Sequence, residues 1–254
     1  MKKSRMKFDF SGKTILVTGA TRGIGKQIAD DLFELGASLI LTGTNKHEIN
    51  LLNADAKKNK LNKFFFNVDF SDNHQINTFI KSILKFDKID GLINNAGINR
   101  LNYINNVKHQ DWDDMISVNL TAPFKLLKVL SNKMIDNQYG RVVNISSVFG
   151  IVSKEKRSVY TASKFGINGL TVGVSNDLAR NNILVNTVSP GFILTDLTKK
   201  NLSKKEMIDL SNQIPIKRLG RTKDISSVVI FLLSNLNQYI TGQNIVVDGG
   251  FTNI

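Results

Sequence analysis

Apolar and polar residues recur with two different periods along the chain, and the two kinds of segment alternate nearly to its end. Short apolar runs such as 14–17 predict buried strands, because both faces of a parallel sheet are covered. Apolar residues three and four apart predict helices that cover the sheet. The predicted strands span about 13–18, 38–42, 63–67, 89–93, 140–146, 183–188 and 244–247. The predicted helices span about 23–35, 47–59, 73–86, 111–136, 158–179, 203–212 and 222–234.

This alternation predicts an α/β fold of the Rossmann type: a doubly wound, seven-stranded parallel sheet with helices on both faces. Neither an internal repeat nor a low-complexity linker divides the chain, so we expect a single domain over 1–254. Residues 1–10 are basic at their start and are predicted to form an N-terminal extension. Pro190-Gly191 follows the sixth strand, which predicts a mobile substrate loop over about 191–215.

Composition excludes several classes of protein. The 254 residues include no cysteine, which excludes disulfides and thiolate metal sites and fits a cytoplasmic protein. His47, His74 and His109 show no ligand spacing, so no catalytic metal is expected. Apolar stretches all fall short of the roughly 18–20 residues that span a bilayer. The basic start also lacks the apolar segment of a secretory signal, so we expect no association with a membrane.

The chain is strongly basic: 34 lysines and arginines against 21 acidic residues give a formal net charge of +13. A polyanionic partner such as nucleic acid or an acidic carrier protein is one explanation. A compositional drift towards Lys, Asn and Ile is the other. The lysines are dispersed over predicted helix surfaces and are not interleaved with aromatic residues, which favours drift. We therefore expect no nucleic-acid partner.

A glycine-rich turn, Thr18-Gly19-Ala20-Thr21-Arg22-Gly23-Ile24-Gly25, joins the first predicted strand to the first predicted helix. Backbone N–H groups and the positive end of the helix meet there, which favours a bound pyrophosphate. Glycine allows the phosphate and the helix to approach closely. The spacing is G-x-x-x-G-x-G rather than G-x-G-x-x-G. A glycine-rich turn that binds no ligand is the alternative.

Tyr160 and Lys164 are four residues apart in a predicted helix and therefore lie on one face. An ammonium beside a phenol favours the phenolate, so Lys164 is expected to lower the pKa of Tyr160 towards neutrality. Such a phenol can exchange a proton with a carbonyl or alcohol oxygen. Tyr-x-x-x-Lys also occurs by chance in helices. The glycine-rich turn upstream favours the chemical interpretation.

With both motifs present, the chain closely resembles the short-chain dehydrogenase/reductase family over nearly its whole length. Further motifs of that family stand in the expected order. They are Asp69-Phe70, Asn94-Asn95-Ala96-Gly97, Asn119, Ser147, Pro190-Gly191 and Thr195.

The resemblance implies catalytic roles for Asn119, Ser147, Tyr160 and Lys164. Tyr160 would donate a proton to the substrate carbonyl, and Ser147 would donate a hydrogen bond to the same oxygen. Lys164 would lower the pKa of Tyr160 and bind the nicotinamide ribose, and Asn119 would hold a water linked to Lys164. The alternatives are an ordinary loop serine, a solvated surface lysine and a helix-interior asparagine.

The resemblance also implies a cofactor site. It comprises Gly19, Thr21, Arg22, Gly23, Ile24, Gly25, Thr44, Asp69, Phe70, Asn95, Ala96, Gly97, Tyr160, Lys164, Pro190, Gly191, Ile193 and Thr195. Asp69 could instead form a turn and cap the next helix, and Asn95 could be structural. The end of strand two lacks the acidic residue that binds the ribose diol of NAD. Arg22, Thr44 and Lys46 could hold a 2′-phosphate, so NADPH is expected, although Arg22 could be a surface residue.

Within the family the chain is most similar to 3-oxoacyl-[acyl-carrier-protein] reductases, which implies reduction of a carrier-linked carbonyl in fatty acid biosynthesis. The expected substrate contacts are Ser147, Phe149, Tyr160 and Phe192. Gln138 and Asn181 stand where such reductases carry arginines, so a sugar or nucleotide-sugar substrate is an alternative. A non-catalytic nucleotide sensor or nucleic-acid binder is a remote one. The family also implies a homotetramer with the helices near 111–136 and 158–179 at its interface.

Overall fold

Seven parallel strands form a single sheet within residues 7–253, the part of the chain that this computed structural model describes. Their order across the sheet is β3-β2-β1-β4-β5-β6-β7. Their bounds are β1 (Thr14–Val17), β2 (Ser38–Gly43), β3 (Lys63–Asn67), β4 (Gly91–Asn94), β5 (Gly140–Ile145), β6 (Ile183–Pro190) and β7 (Asn244–Val247). The predicted doubly wound fold is therefore confirmed.

Helices cover both faces of this sheet. Their bounds are α1 (Gly23–Glu34), α2 (Lys46–Lys58), α3 (Asn73–Ile83), α4 (His109–Ile116), α5 (Ala122–Asp136), α6 (Ser158–Leu178), α7 (Asp196–Asn201), α8 (Lys204–Gln213) and α9 (Thr222–Leu233). Ile15 and Val17 of β1 pack with α1 and α9, whereas Leu16 packs on the other face with α3 and α5. Because successive side chains point to opposite faces, both faces of the sheet bury an apolar core.

The prediction of one continuous helix over 111–136 is wrong. The helical region begins at His109, and a π-helical segment, Ser117–Thr121, divides it into α4 and α5. The Ala122 N–H donates to the Ser117 carbonyl, five residues back. Pro123 lacks the N–H that a regular α-helix would donate to the carbonyl of Asn119, four residues earlier. The wider turn places Asn119 in the middle of the break.

The segment 191–215 contains two short helices. Thr195 caps α7 through its hydroxyl, and Ser203 forms a reciprocal capping box with Glu206 at the start of α8. The start of each helix is therefore specified locally by the sequence. The mobility of the segment stays a prediction.

Residues 1–10 were predicted to form an N-terminal extension, but the last residue of this segment belongs to the core. Phe10 is buried, and its N–H donates to the Leu35 carbonyl at 2.9 Å. Residues 1–6 lie outside the described part of the chain. Among the helices of residues 7–253, none is long and apolar enough to cross a membrane.

Candidate active site

The carboxyl ends of β1 and β4 are joined by a small hydrogen-bond network around Thr18. The Thr18 hydroxyl accepts from the N–H groups of Asn95 (2.9 Å) and Ala96 (3.0 Å). The Asn95 side-chain amide donates to the carbonyls of Thr18 and Gly19, both at 2.9 Å. Asn95 therefore has the structural role that was the alternative to a cofactor contact. Thr18 directly follows β1, so its hydroxyl lies at the carboxyl end of the strand, where it can accept hydrogen bonds from the loop after β4.

The glycine-rich turn brings α1 against the end of β1. A Cβ at Gly25 would lie 2.3 Å from the Gly19 carbonyl oxygen, so only glycine fits there. Gly19 has φ +64°, a left-handed conformation that glycine adopts without strain. No side chain caps the first turn of α1, and no acidic residue lies in it. Its free N–H groups and positive dipole fit a phosphate.

The ends of β1 and β2 form a cationic surface beside this turn. Thr21 packs against Gly43, where a Cβ would lie 2.4 Å from the Thr21 methyl group. This contact brings Arg22 next to Thr44, and both side chains are exposed. Arg22 forms no ion pair with any side chain that the structure describes. Residues 41–47 contain no carboxylate, so the charge of this surface is positive.

Asp69 and Phe70 were predicted to contact the cofactor, but their side chains make contacts within the protein. One carboxylate oxygen of Asp69 accepts from the N–H and the hydroxyl of Ser71, at 2.9 and 2.7 Å. Asp72, not Asp69, caps α3. The ring of Phe70 is buried in the core, and its carbonyl accepts from the Ser117 hydroxyl at 2.9 Å. A cofactor contact by the Phe70 side chain is therefore excluded.

The other predicted cofactor residues lie at the ends of β6 and α1. Pro190 and Ile193 are buried, and the Gly191 N–H donates to the Val247 carbonyl at 3.0 Å. Ile24 packs partly buried against the core. The Thr195 methyl group lies 3.7 Å from the position of a Cβ at Gly23, so the start of α7 faces the glycine-rich turn.

Ser147, Tyr160 and Lys164 converge where β5 meets α6. Lys164 is buried, and its ammonium donates to the Ile145 carbonyl at 2.9 Å. The same nitrogen lies 5.5 Å from the centre of the Tyr160 ring. The Ser147 hydroxyl accepts from the Phe149 N–H at 3.2 Å and interacts with the Tyr160 hydroxyl. The three side chains predicted to act together therefore form one cluster.

The predicted direction of the tyrosine shift is wrong. Burial raises the pKa of Tyr160, and the lowering effects of the Ser147 hydroxyl and the Arg157 charge are smaller. Burial also lowers the pKa of Lys164 to about 8, because desolvation disfavours the charged amine. A phenol with a raised pKa keeps its proton at neutral pH. This state suits a proton donor.

Asn119 links the π-helical segment to the loop after β4 and to α6. Its side chain accepts from the Ile98 N–H and donates to the Ile98 carbonyl, both at 2.9 Å, and donates to the Ser163 hydroxyl at 3.0 Å. Ser163 in turn donates to the Tyr160 carbonyl at 2.7 Å. Both amide hydrogens of Asn119 are thus used within the protein. The water expected at Asn119 stays a prediction.

Gly97 keeps one side of this cluster open. A Cβ there would lie 3.4 Å from the Asn119 side-chain oxygen and 3.7 Å from the Lys164 nitrogen. The opening lies on the same edge of the sheet as the glycine-rich turn. A dinucleotide with its phosphates at α1 and its reactive ring near Lys164 fits these residues.

A row of aromatic rings leads away from Tyr160. Centroid separations are 6.3 Å from Tyr160 to Phe149, 6.2 Å from Phe149 to Phe192 and 5.1 Å from Phe192 to Phe251. All three pairs meet edge to face, a favoured geometry for aromatic rings. Phe149 and Phe192 thus lie where substrate contacts were predicted. Phe251 was missed, because no local motif marks it.

The described side chains contain no cluster of three or more His, Cys, Asp or Glu residues that could hold a metal ion.

A glycine-rich turn after the first strand, with a cluster of a partly buried tyrosine and a buried lysine and serine beside it, defines a dinucleotide-dependent oxidoreductase. The chain belongs to the short-chain dehydrogenase/reductase family. Residues 19–252 match the family described as enoyl-(acyl carrier protein) reductase. The chain is 39% identical over 242 residues to the 3-oxoacyl-[acyl-carrier-protein] reductase FabG of Rickettsia typhi, covering 95% of this chain and 98% of the relative.

Solved structures give the same assignment. A putative gluconate dehydrogenase from Agrobacterium tumefaciens has a TM-score of 0.90 at 28% identity, covering 98% of this chain and 100% of that one. A gluconate 5-dehydrogenase from Burkholderia cenocepacia, in complex with NADP and tartrate, has a TM-score of 0.89 at 28% identity, covering 97% and 98%.

Proposed function

We propose that the protein reduces a ketone to a secondary alcohol with NADPH, acting on 3-oxoacyl groups linked to an acyl carrier protein. The observation that carries this proposal is the convergence of Ser147, Tyr160 and Lys164 beside the glycine-rich turn. The likeness to 3-oxoacyl-[acyl-carrier-protein] reductases over 95% of the chain supports the substrate class.

Tyr160 acts as the acid. Its raised pKa keeps the phenol protonated, and the substrate oxygen takes this proton as it gains electrons. Ser147 donates a hydrogen bond to the same oxygen, which stabilises the charge that develops there. The reduced nicotinamide supplies the hydride that adds to the carbonyl carbon. Lys164 orients the nicotinamide ribose and belongs to the path that returns a proton to Tyr160.

The phosphorylated cofactor follows from charge. Arg22 has no carboxylate partner among the side chains that the structure describes, and residues 41–47 hold no acid that would repel a 2′-phosphate. A guanidinium binds phosphate through charge-assisted hydrogen bonds. The gluconate 5-dehydrogenase that shares this fold binds NADP. NADPH is therefore proposed over NADH.

The carrier-docking surface is the less supported part of the proposal. Lys133, Arg141 and Arg180 lie near the positions where related reductases carry arginines. Arg141 is buried, and Lys133 donates to the Phe86 carbonyl at 2.7 Å. Arg180 is the exposed member of this set. A polar keto metabolite is therefore the second candidate substrate, supported by the likeness to gluconate dehydrogenases.

We place the protein in the cytoplasm, consistent with the absence of cysteine from its sequence. We also infer a homotetramer. Phe165 and Val172 of α6 and Phe124 of α5 are 49%, 50% and 46% exposed, which leaves an apolar surface on these helices. Such a surface is typical of a subunit interface.

Oxidation of NADPH followed at 340 nm tests the proposed function. The protein should reduce acetoacetyl and longer 3-oxoacyl thioesters, with a higher kcat/KM for NADPH than for NADH. Tyr160→Phe should lower kcat by about 10²–10⁴-fold, because it removes the proton donor, while NADPH affinity changes little. The wild-type protein and Tyr160→Phe are compared by fluorescence titration with NADPH. Retention of most activity in Tyr160→Phe would contradict the proposed role.

A further inference from the structure

Arg157 lies beside the reactive cluster and takes no part in the mechanism above. It precedes α6 and stands three residues before Tyr160. Its guanidinium carbon lies 4.4 Å from the centre of the Phe149 ring, and the same ring packs edge to face against Tyr160. Arg157 is half-buried. Its charge is therefore held at the substrate side of Tyr160, over an aromatic wall of the cleft.

The guanidinium of Arg157 has no acceptor among the side chains and backbone that the structure describes. Two other arginines are paired with carboxylates: Arg100 with Asp111 and Asp114, and Arg218 with Asp224. Arg141 is buried but donates to the carbonyls of Gly140 and Asn182. Arg157 has only its contact with Phe149 and a charge interaction with Tyr160.

A half-buried cation without acceptors costs free energy, because its lost hydration is not replaced. Burial accordingly lowers the pKa of Arg157. Stacking on an aromatic ring recovers part of that cost and leaves the edge of the guanidinium, with its N–H donors, uncovered. That edge matches the paired oxygens of a carboxylate or phosphate.

We propose that Arg157 is a specificity-determining residue that binds an anionic group of the substrate, a carboxylate or a phosphate, a few bonds from the reacting carbonyl. A single ring separates Arg157 from Tyr160, so the anion must be close to the ketone. A small oxo acid or phosphorylated ketone meets this condition. The phosphate of a long carrier arm lies too many bonds from its carbonyl to do so.

The proposal rests on ketone reduction at Tyr160, and matched substrate pairs test it separately from the carrier-linked substrate. We compare kcat/KM with NADPH for acetoacetate against methyl acetoacetate, and for dihydroxyacetone phosphate against dihydroxyacetone. The first pair tests whether a carboxylate on the substrate raises kcat/KM, and the second pair tests whether a phosphate does. The wild-type protein should prefer the anionic member at least tenfold in one pair.

Arg157→Gln should lower kcat/KM for the preferred anion by roughly 10- to 100-fold and change that of its neutral partner by no more than about threefold. Arg157→Lys should restore part of the preference. Lys154→Gln, which changes an exposed cation of the same loop, is the matched control and should resemble wild type. Thermal unfolding and NADPH titration confirm that each variant is folded.

Equal losses for the charged and neutral members in Arg157→Gln would overturn the proposal, because stacking on Phe149 alone would explain them. Absence of any anion preference in the wild-type protein would also overturn it, even if 3-oxoacyl thioesters are reduced. Arg157-dependent reduction of an anion without reduction of thioesters would uphold it and refute the carrier-linked substrate.

Discussion

Lys164 is a charged residue held in a buried position, and its environment makes the amine more acidic. Its ammonium has one protein acceptor, the Ile145 carbonyl, and burial lowers its pKa from 10.5 to about 8. Between these two pH values the unfolded chain holds the Lys164 proton and the folded protein does not. The free energy of unfolding therefore rises with pH across this window.

Comparing the wild-type protein with Lys164→Met isolates the contribution of Lys164 to the pH dependence of the free energy of unfolding. From pH 7 to pH 10 the free energy of unfolding of the wild-type protein should rise, relative to the variant, by about 2–3 kcal/mol. Groups common to both proteins cancel in the difference. Urea unfolding of both proteins at four pH values between 7 and 10 measures it. A difference that is constant with pH would mean that Lys164 is not desolvated as described.

The residues of the reactive cluster could be predicted from their spacing along the chain, but the direction of the Tyr160 pKa shift could not. The four-residue interval between Tyr160 and Lys164 is a local property of a helix, and the two side chains do lie on one face. The pKa shift of Tyr160 depends on the atoms that desolvate it, which come from β5 and its following loop. For the same reason, spacing along the chain could not show that Arg157, and not Lys164, is the charge that lowers the pKa of Tyr160.

At the scale of elements, the side chain of Asn119 joins the π-helical segment between α4 and α5 to the loop after β4. Asn119 is buried and satisfies both backbone groups of Ile98. Asn119→Leu leaves these groups without partners and should lower the free energy of unfolding by about 2–4 kcal/mol. Asn106→Leu, at an exposed position without a side-chain hydrogen bond, should change it by no more than about 0.5 kcal/mol.

Chemical unfolding of the two variants beside the wild-type protein measures both changes. Similar losses in Asn119→Leu and Asn106→Leu would show that the Ile98 contacts contribute little. The variant at Asn119 should also lose activity, since Ser163 and the backbone of Tyr160 are joined to the same side chain.

All seven strands could be predicted because each contains a short apolar run. The five inner strands are largely buried on both faces, whereas the edge strands β3 and β7 are partly exposed. The break at 117–121 did not follow, because a π turn keeps nearly the same apolar spacing as an α-helix. Pro123 was the available signal. Its missing N–H falls at the break.

At the scale of the whole molecule, α6 presents a flat apolar surface. Phe165, Gly169, Val172 and Gly173 are exposed on this helix, and a Cβ at either glycine would meet no atom within 4 Å. Glycine costs a helix about 1 kcal/mol relative to alanine, so two of them need a reason. Close approach of a helix from another subunit supplies one. Leu126, Leu127 and Leu130 of α5 are in the core.

Phe165→Glu should break the proposed subunit interface, because it places a charge on the apolar surface of α6. We expect the mass measured by light scattering to fall from that of a tetramer to that of a dimer or monomer. Leu51→Glu, a matched change at an exposed leucine of α2, should leave the mass unchanged. An unaltered mass for Phe165→Glu would place the subunit contact elsewhere.

The contact between Phe192 and Phe251 joins two distant parts of the chain. Phe192 lies in the loop between β6 and α7, whereas Phe251 lies in the turn after β7, and the rings meet at 88°. An aromatic ring shifts the magnetic resonance of nuclei at its edge. A fluorine label on Phe251 would therefore report displacement of α7 as cofactor or substrate binds, without any probe placed in the cleft itself.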